Sequence, residues 1–492
     1  MDTGAAMNSG YEAVIGLEVH VQLQTRSKMF CACRNAADAP PNSYTCPVCL
    51  GLPGALPVLN AEAVRMALTL GLAVEAKIQP VSTFYRKQYF YPDLPKGYQI
   101  TQGPVAIVEN GFLDIPGDAR VRGKEGKVRI RVERAHLEED AGKSHHDLDG
   151  KSSHVDLNRA GVPLLEIVGA PDLRSAQEAS DCLKSLHRLV VGLGICDGNM
   201  EEGSFRCDAN VSVRRVGEAA YGTRVEVKNL NSFRFVRQAL DHEIARHVVL
   251  LERGEAVQME TRGWDASLGE TRGQRTKEAA MDYRYFPEPD LPPLSINPQE
   301  VEAARQALPE LPERRIQRWR DAYGLGLDEA QTLAQSPAFA AYFEAVAERS
   351  GSGHGAAAWM LGEVSRTLND GGTGIESFPI APEAMAELVR LVETRILGFG
   401  AAKDQVFPVM LAGGGDAESI VAQKGLAQVS DRRVIQAMVA QVLVANPGPV
   451  AQIRAGKESL KGFLVGQVIK AGQGKLDAKL VNEVLSEALA KD

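Results

Sequence analysis

The chain has 492 residues, 44% of them hydrophobic and 24% charged, which suits about three globular domains and excludes a single small module. Its 55 Lys and Arg stand against 63 Asp and Glu, a formal net charge of −8, so a wholesale basic nucleic-acid binder is excluded and any RNA contact must be local. No apolar run reaches the roughly 18 residues of a membrane span, and seven scattered cysteines are not a secreted disulfide framework, so a cytoplasmic protein with no membrane segment is expected.

Residues 1–295 are rich in short alternating runs, Gly and Pro, and read as mainly strand with a few helices. In Ala13 to Gln24, alternation puts Leu17, Val19, Val21 and Leu23 on one face and Glu18, His20, Gln22 and Gln24 on the other. Glu18 and His20 then stand about 7 Å apart on one polar face, within reach of one metal ion or its water shell. Cys31, Cys33, Cys46 and Cys49 follow as C-x-C-x12-C-x2-C, a spacing that lets four thiolates close on one structural Zn²⁺; unliganded or redox-active thiols are the alternative. Asn60 caps a helix over Ala61 to Val74. Phe84 to Tyr98, FYRKQYFYPDLPKGY, interleaves six aromatics, Tyr89 and Tyr91 among them, with Arg86, Lys87 and Lys96, a pattern that can stack bases and neutralise phosphate or merely pack beneath a turn.

Arg134 to Ser144 carries three consecutive carboxylates, Glu138, Glu139 and Asp140, to be tolerated in water or gathered around Mg²⁺. Apolar residues are even-numbered at Val128, Ile130 and Val132 but odd at Ala135 and Leu137, so the strand must slip phase between them, and alternation alone leaves open which of Glu138 and Glu139 points inward. The Gly142-Lys143-Ser144 end imitates a P-loop but has Leu137 where glycine is required. Ser175 with Glu178 predicts a capping box before a helix ending near Gly192, and a further helix is expected from Ser232 to Gly254. Between them, Arg206, Asp208, Asn210 and Ser212 share one strand face, as do Arg224, Glu226 and Lys228 on the next strand. Any one such strand reads as a solvent-facing edge, yet together they offer metal or water ligands at Glu18, His20, Asp208 and Glu226, and phosphate partners at Arg206, Arg224 and Lys228. Tyr283 to Pro289, YRYFPEP, is assigned to packing.

Beyond the proline-rich stretch Pro287 to Pro298 the pattern turns helical, at Pro382 to Arg395, Ser430 to Ala445 and Asp477 to Ala490, with Ser430 and Asp477 as N-caps and Pro447 as a stop. Three glycines at 413–415 suggest a second break. The expected organisation is α+β: a β-sheet domain over 1–295, a helical domain over 296–412 and a helical tail over 413–492. No nucleophile elbow, glutaminase cysteine or Ser-Ser-Lys amidase segment is present, so the chain is not expected to generate ammonia itself.

Several runs, IGLEVHVQL at Ile15, FYRKQYFYPDLPKGYQI at Phe84, HLEEDAGKS at His136, VDLNRAGVPLLEIV at Val155, MEEGSFRCDANVSV at Met200, EVKNLNSF at Glu226, DYRYFPEPDLPPL at Asp282 and GFLVGQVIKA at Gly462, closely resemble the B-subunit family of the tRNA-dependent aspartyl/glutamyl amidotransferases. The resemblance implies a cradle domain holding the active site, a helical domain and a YqeY-like tail. It implies ATP-dependent phosphorylation of the side-chain carboxylate of Glu or Asp misattached to tRNA(Gln) or tRNA(Asn), then displacement of phosphate by ammonia from a partner amidase, the A subunit, with a small C subunit completing the assembly. It further implies a Mg²⁺ site at His20, Glu139 and Glu226 with Glu18, Glu138 and Asp208 nearby, the choice of Glu139 resting on the resemblance alone. ATP or substrate is expected at Lys87, Tyr89, Tyr91, Arg206 and Lys228, and zinc at the four cysteines. A zinc-containing RNA-binding scaffold and a metal-dependent hydrolase of aminoacyl-tRNA are the competing readings.

Overall fold

The computed structural model describes residues 10–36, 38–124, 126–146, 152–276, 282–428, 432–455, 457–472 and 476–490. It comprises two compact units, Met1–Pro312 and Glu313–Asp492. The architecture is α+β, as the change of periodicity along the chain predicts.

The first unit is built on a twelve-stranded mixed sheet. Its principal strands are β1 (Tyr11–Gln22), β2 (Phe84–Gln88), β3 (Tyr98–Gln102), β4 (Val108–Pro116), β5 (Lys127–Glu139), β6 (Pro163–Gly169), β7 (Phe205–Arg215), β8 (Val225–Lys228), β9 (Glu260–Asp265) and β10 (Glu270–Thr276). The order across the sheet is β10-β9-β8-β7-β1-β6-β5-β3-β2, ending on the short strand Phe286–Pro287, with β4 also paired to β5. β8 and β9 run parallel, whereas β1 is antiparallel to both its neighbours.

Alternation decides which face is covered. Ala13, Ile15, Leu17, Val19 and Val21 of β1 are all buried, in one core with helices α1 (Ala61–Ala73), α2 (Ala176–Gly192) and α3 (Phe233–Glu252). Each helix starts where its cap predicts: Asn60 accepts from Glu62 N and Ala63 N, Ser175 from Glu178 N and Ser232 from Phe235 N. The capping box at Ser175 is only half formed, because the Glu178 carboxylate turns instead to Arg122 (2.7 Å) and to the backbone N–H groups of Arg174 and Asp118. The expected phase slip in β5 is present: Val168 pairs with Arg134 but Gly169 with Val132, leaving Glu133 as the extra residue of a bulge. Beyond that bulge the odd residues of β5 face the covered side.

The second unit is helical, with two apolar cores, one drawn from Ile316 to Val421 around the buried Trp319 and Trp359, the other from Ile435 to Leu485. The expected helices are observed as Pro382–Glu393, Arg432–Ala445 and Ala478–Ala490, and Asp477 caps the last by accepting from Lys479 N and Leu480 N. Ser430 lies outside the described residues. Pro447 ends one helix by opening the next, Pro447–Arg454, since its fixed φ suits the first helical position. Among the described residues no single helix is long and apolar enough to cross a membrane.

Candidate active site

With one face of the sheet covered by helices, the other is free for polar groups, and four neighbouring strands use it. Register places His136 of β5 beside Glu166 of β6, Glu166 beside His20 of β1, and His20 beside Arg206 of β7, one lateral row across four strands. Glu138 and Glu18 project next to that row, because side chains two apart share a face.

The distances are short. Glu166 Oε2 lies 3.1 Å from His136 Nε2 and 3.6 Å from His20 Nε2. His20 Nε2 is 3.8 Å from Glu138 Oε1 and 3.9 Å from Glu18 Oε1, and His136 Nε2 is 3.9 Å from Glu138 Oε2. Three carboxylates and two imidazoles thus converge, and Glu18, His20 and Glu166, like His136, Glu138 and Glu166, bring their ligand atoms within 4.8 Å of one another.

So many carboxylates cannot all ionise without a compensating charge. Burial, reinforced by the charge of Glu166, raises the Glu138 carboxyl above the ordinary range, and the same two causes raise Glu18. Burial works against ionisation of Glu166 too, yet the neighbouring His136 and His20 rings hold it well below that range. For His20, burial favours the neutral ring, but the neighbouring carboxylates of Glu166 and Glu138 prevail and raise it. The donor set fits a divalent cation: Mg²⁺ takes carboxylate oxygens at one or two positions and keeps several waters, which the imidazoles are placed to orient.

Cations ring this cluster. Lys87 shares the polar face, feels the charges of Glu138 and Glu166, and makes no ion pair within 4.0 Å among the described residues. Arg206 pairs with Asp140 at 3.1 Å, and Lys228 bridges Asp208 at 2.5 Å and Glu226 at 3.2 Å. Glu226 also accepts from Thr261 Oγ1 at 2.8 Å. Tyr89 and Tyr91 lie in the loop after β2 and stack on each other, ring centroids 5.7 Å apart.

Glu139, which the resemblance favours as a metal ligand, points the other way. It is buried on the opposite face, ion-paired to Lys96, and accepts from Ile100 N at 2.9 Å. The β5 bulge is the cause, since it sets even residues toward His20, so that Glu138 takes the position expected of Glu139. Sequence reasoning missed Glu166 and His136 altogether. Their signals are a lone carboxylate on the even positions of the apolar run Val162 to Val168, and a histidine two residues before Glu138.

The four cysteines form a separate cluster whose Sγ atoms lie within 4.8 Å of one another. Tetrahedral zinc with Zn–S of about 2.3 Å requires sulfurs about 3.8 Å apart, and Cys46 and Cys49 stand at 3.9 Å. Cys46 N donates to Cys49 Sγ at 3.1 Å. A hydrogen bond from Cys31, the Cys46 N–H and Lys28 bring the Cys49 thiol down to about 5 against the effect of burial. Lys28 is itself fully buried, its Nζ donating to Tyr44 O and Leu157 O and lying 3.9 Å from Cys49 Sγ. The donor set fits a closed structural zinc site.

Residues 13–302 match the family described as the GatB/GatE catalytic domain, and residues 341–489 that described as the GatB domain. The B subunit of the aspartyl/glutamyl-tRNA(Asn/Gln) amidotransferase of Geobacter sulfurreducens is 52% identical over 482 residues, 97% of this chain and 99% of that protein. The proteins of the same name from Halorhodospira halophila and Myxococcus xanthus are 52% and 50% identical, over 97% and 98% of this chain and 99% of each relative. A catalytic-domain match that spans the carboxylate–imidazole face, together with half of all residues shared from end to end, means that the chain belongs to the B-subunit family of the aspartyl/glutamyl-tRNA(Asn/Gln) amidotransferases.

Proposed function

We propose that this chain converts misacylated Glu-tRNA(Gln), Asp-tRNA(Asn) or both to the amide, in the cytoplasm, by phosphorylating the side-chain carboxylate with ATP and amidating it with ammonia from a partner amidase, with a small C subunit completing the complex. The observation that carries this reading is the convergence of Glu18, Glu138 and Glu166 with His20 and His136 on the polar face of the sheet, bordered by Lys87. A carboxylate is a poor electrophile, because its charge and resonance repel a nucleophile; phosphorylation removes the charge and supplies a leaving group. That chemistry asks for positioning and charge neutralisation more than for a covalent enzyme intermediate.

Glu18, Glu138 and Glu166 would hold Mg²⁺, with His20 and His136 fixed in orientation by Glu166. When bound, the ion supplies charge neutralisation between ATP and the reacting carboxylate. Lys87, which makes no ion pair among the described residues, would meet a phosphate, whereas Lys228 is already shared by Asp208 and Glu226, and Arg206 by Asp140. We assign Asp208 and Glu226 to holding Lys228 toward the substrate rather than to binding metal. Tyr89 and Tyr91 offer a stacked aromatic surface beside the same strand for nucleotide or RNA. Cys31, Cys33, Cys46 and Cys49 would hold Zn²⁺, which staples the loop between β1 and α1 and takes no part in the reaction.

Hydroxylamine tests the reading, since it captures acyl phosphates. The assembled enzyme with ATP and mischarged tRNA, given hydroxylamine in place of ammonia, should form a side-chain hydroxamate on the tRNA-bound residue. Hydroxamate formed equally well without ATP would overturn the phosphorylation step.

A further inference from the structure

The segment following residue 281 closes the edge of the sheet beside Lys87. Phe286 and Pro287 pair with Arg86 and Tyr85 of β2, and Gln88 N donates to Tyr283 O at 2.9 Å. The Tyr283 ring thereby lies 5.0 Å from Lys87 Nζ, and Tyr285 stands against it edge to face at 6.0 Å, an aromatic pair in which Tyr285 is 54% exposed. Between the two rings Arg284 has φ 46°, a left-handed conformation costly for a non-glycine residue, held by its N–H to Asp282 Oδ1 at 3.1 Å. Arg284 itself is exposed. Because Lys87 shares its sheet face with Glu138 and lies against the Tyr283 ring, this pair borders the carboxylate cluster rather than a remote edge.

The substrate makes a demand that this placement meets. A glutamyl side-chain carboxyl is about five bonds of roughly 1.5 Å from the ester oxygen of the terminal ribose, so the terminal nucleoside must sit within a side chain's length of the cluster. That nucleoside is an unpaired adenosine at the end of a single strand, and single-stranded ends are held by stacking on aromatic faces with cations on the flanking phosphates.

We propose that Tyr285, braced edge-on by Tyr283, forms the platform on which the 3′-terminal adenine of the charged tRNA stacks, with Arg284 facing the preceding phosphate. This assignment rests on the active-site reading above. ATP carries the same base. Its triphosphate, however, could enter along the cluster, whereas a polymer needs the protein surface where Tyr285 and Arg284 are exposed.

The test uses the full complex with its partner subunits and tRNA bearing 2-aminopurine as the terminal base, whose fluorescence is quenched by stacking. Wild type should quench it. Tyr285→Ala and Tyr283→Ala should lose the quench and raise the KM for charged tRNA roughly 5- to 100-fold, with the KM for ATP unchanged, and Tyr→Phe at either position should restore both. As a control that leaves the protein untouched, wild type should lose a similar factor for tRNA with an abasic terminal nucleotide, while the Ala variants should not discriminate against it. A rise in the KM for ATP with normal quenching would give the rings to ATP and overturn the proposal. So would unchanged quenching in both Ala variants, or full discrimination against the abasic tRNA in them. Quenching is a binding signal that Glu138→Gln should retain, so failure of the platform and failure of the metal-centre reading are separately visible.

Discussion

Glu138 and Glu139 carry the same carboxylate on adjacent residues, but the pleat of β5 sends them to opposite faces, and the chemistry open to each follows from what it meets there. Glu138 meets His20 and His136; Glu139 meets Lys96 and Ile100 N. Glu139→Gln should therefore act through folding, because it strands a buried Lys96. Its expected cost, on the order of 3–5 kcal/mol, is read as a lowered thermal transition, with every activity of the assembled enzyme falling in parallel. Glu166→Gln should lower phosphoryl transfer and disturb the order of the two imidazoles, visible as a change in their proton resonances. Much of this site is legible in the alternation of the sequence: Glu18 and His20 share a face there, and the β5 slip is foreshadowed where apolar residues change parity after Val132. What alternation cannot give is register. That Glu166 lies between His20 and His136 depends on strand pairings, one of them made over a hundred residues apart, which no local pattern encodes.

At the scale of elements, two polar groups pin helices and loops that apolar packing alone would leave less fixed. Glu243 of α3, fully buried, receives Arg246 at 2.7 Å and Arg262 at 3.1 Å, with Thr271 donating to it, and so ties the helix to the β9–β10 hairpin. Burial works against its ionisation, but His247, Arg246 and Thr271 hold the carboxyl well below the usual range. A depressed folded-state value means stability that is complete above the unfolded value of about 4.3 and lost as pH falls through the folded one. The stability of wild type should fall below about pH 4 more steeply than that of Glu243→Gln, which is less stable at neutral pH. Around the cysteines, Cys46→Ser should lose one zinc per chain while phosphoryl transfer persists. Lys28→Met, which removes the ammonium beside Cys49, should weaken zinc affinity in chelator competition roughly 10- to 100-fold, as loss of an outer-shell partner does. The caps at Asn60, Ser175, Ser232 and Asp477 were readable because each rests on a side chain two or three residues from its target. Other helices of the second unit, such as Pro337–Ser350, were harder to read, since burial there depends on neighbours distant in the chain.

The whole molecule divides its labour. The sheet and the carboxylate–imidazole cluster belong to the first unit, and the second closes with a core of its own, Ile435 to Leu485. The tail carries six Lys or Arg between Ala451 and Leu480 against only Glu458 and Asp477, in a chain of net charge −8. Such a bias favours contact with the phosphates of the tRNA body rather than its reacting end. Removing residues 429–492 should raise the KM for charged tRNA and flatten its salt dependence, with glutaminase activity of the complex retained; unchanged tRNA affinity would contradict that role. The central claim, that Glu138 on the His20 face supports the phosphorylation, is tested most directly by transfer of labelled γ-phosphate from ATP to mischarged tRNA, measured beside glutaminase turnover in the same preparations. Glu138→Gln should lose phosphoryl transfer by about 10²–10³-fold with basal glutaminase turnover intact, and normal transfer in Glu138→Gln would contradict the account.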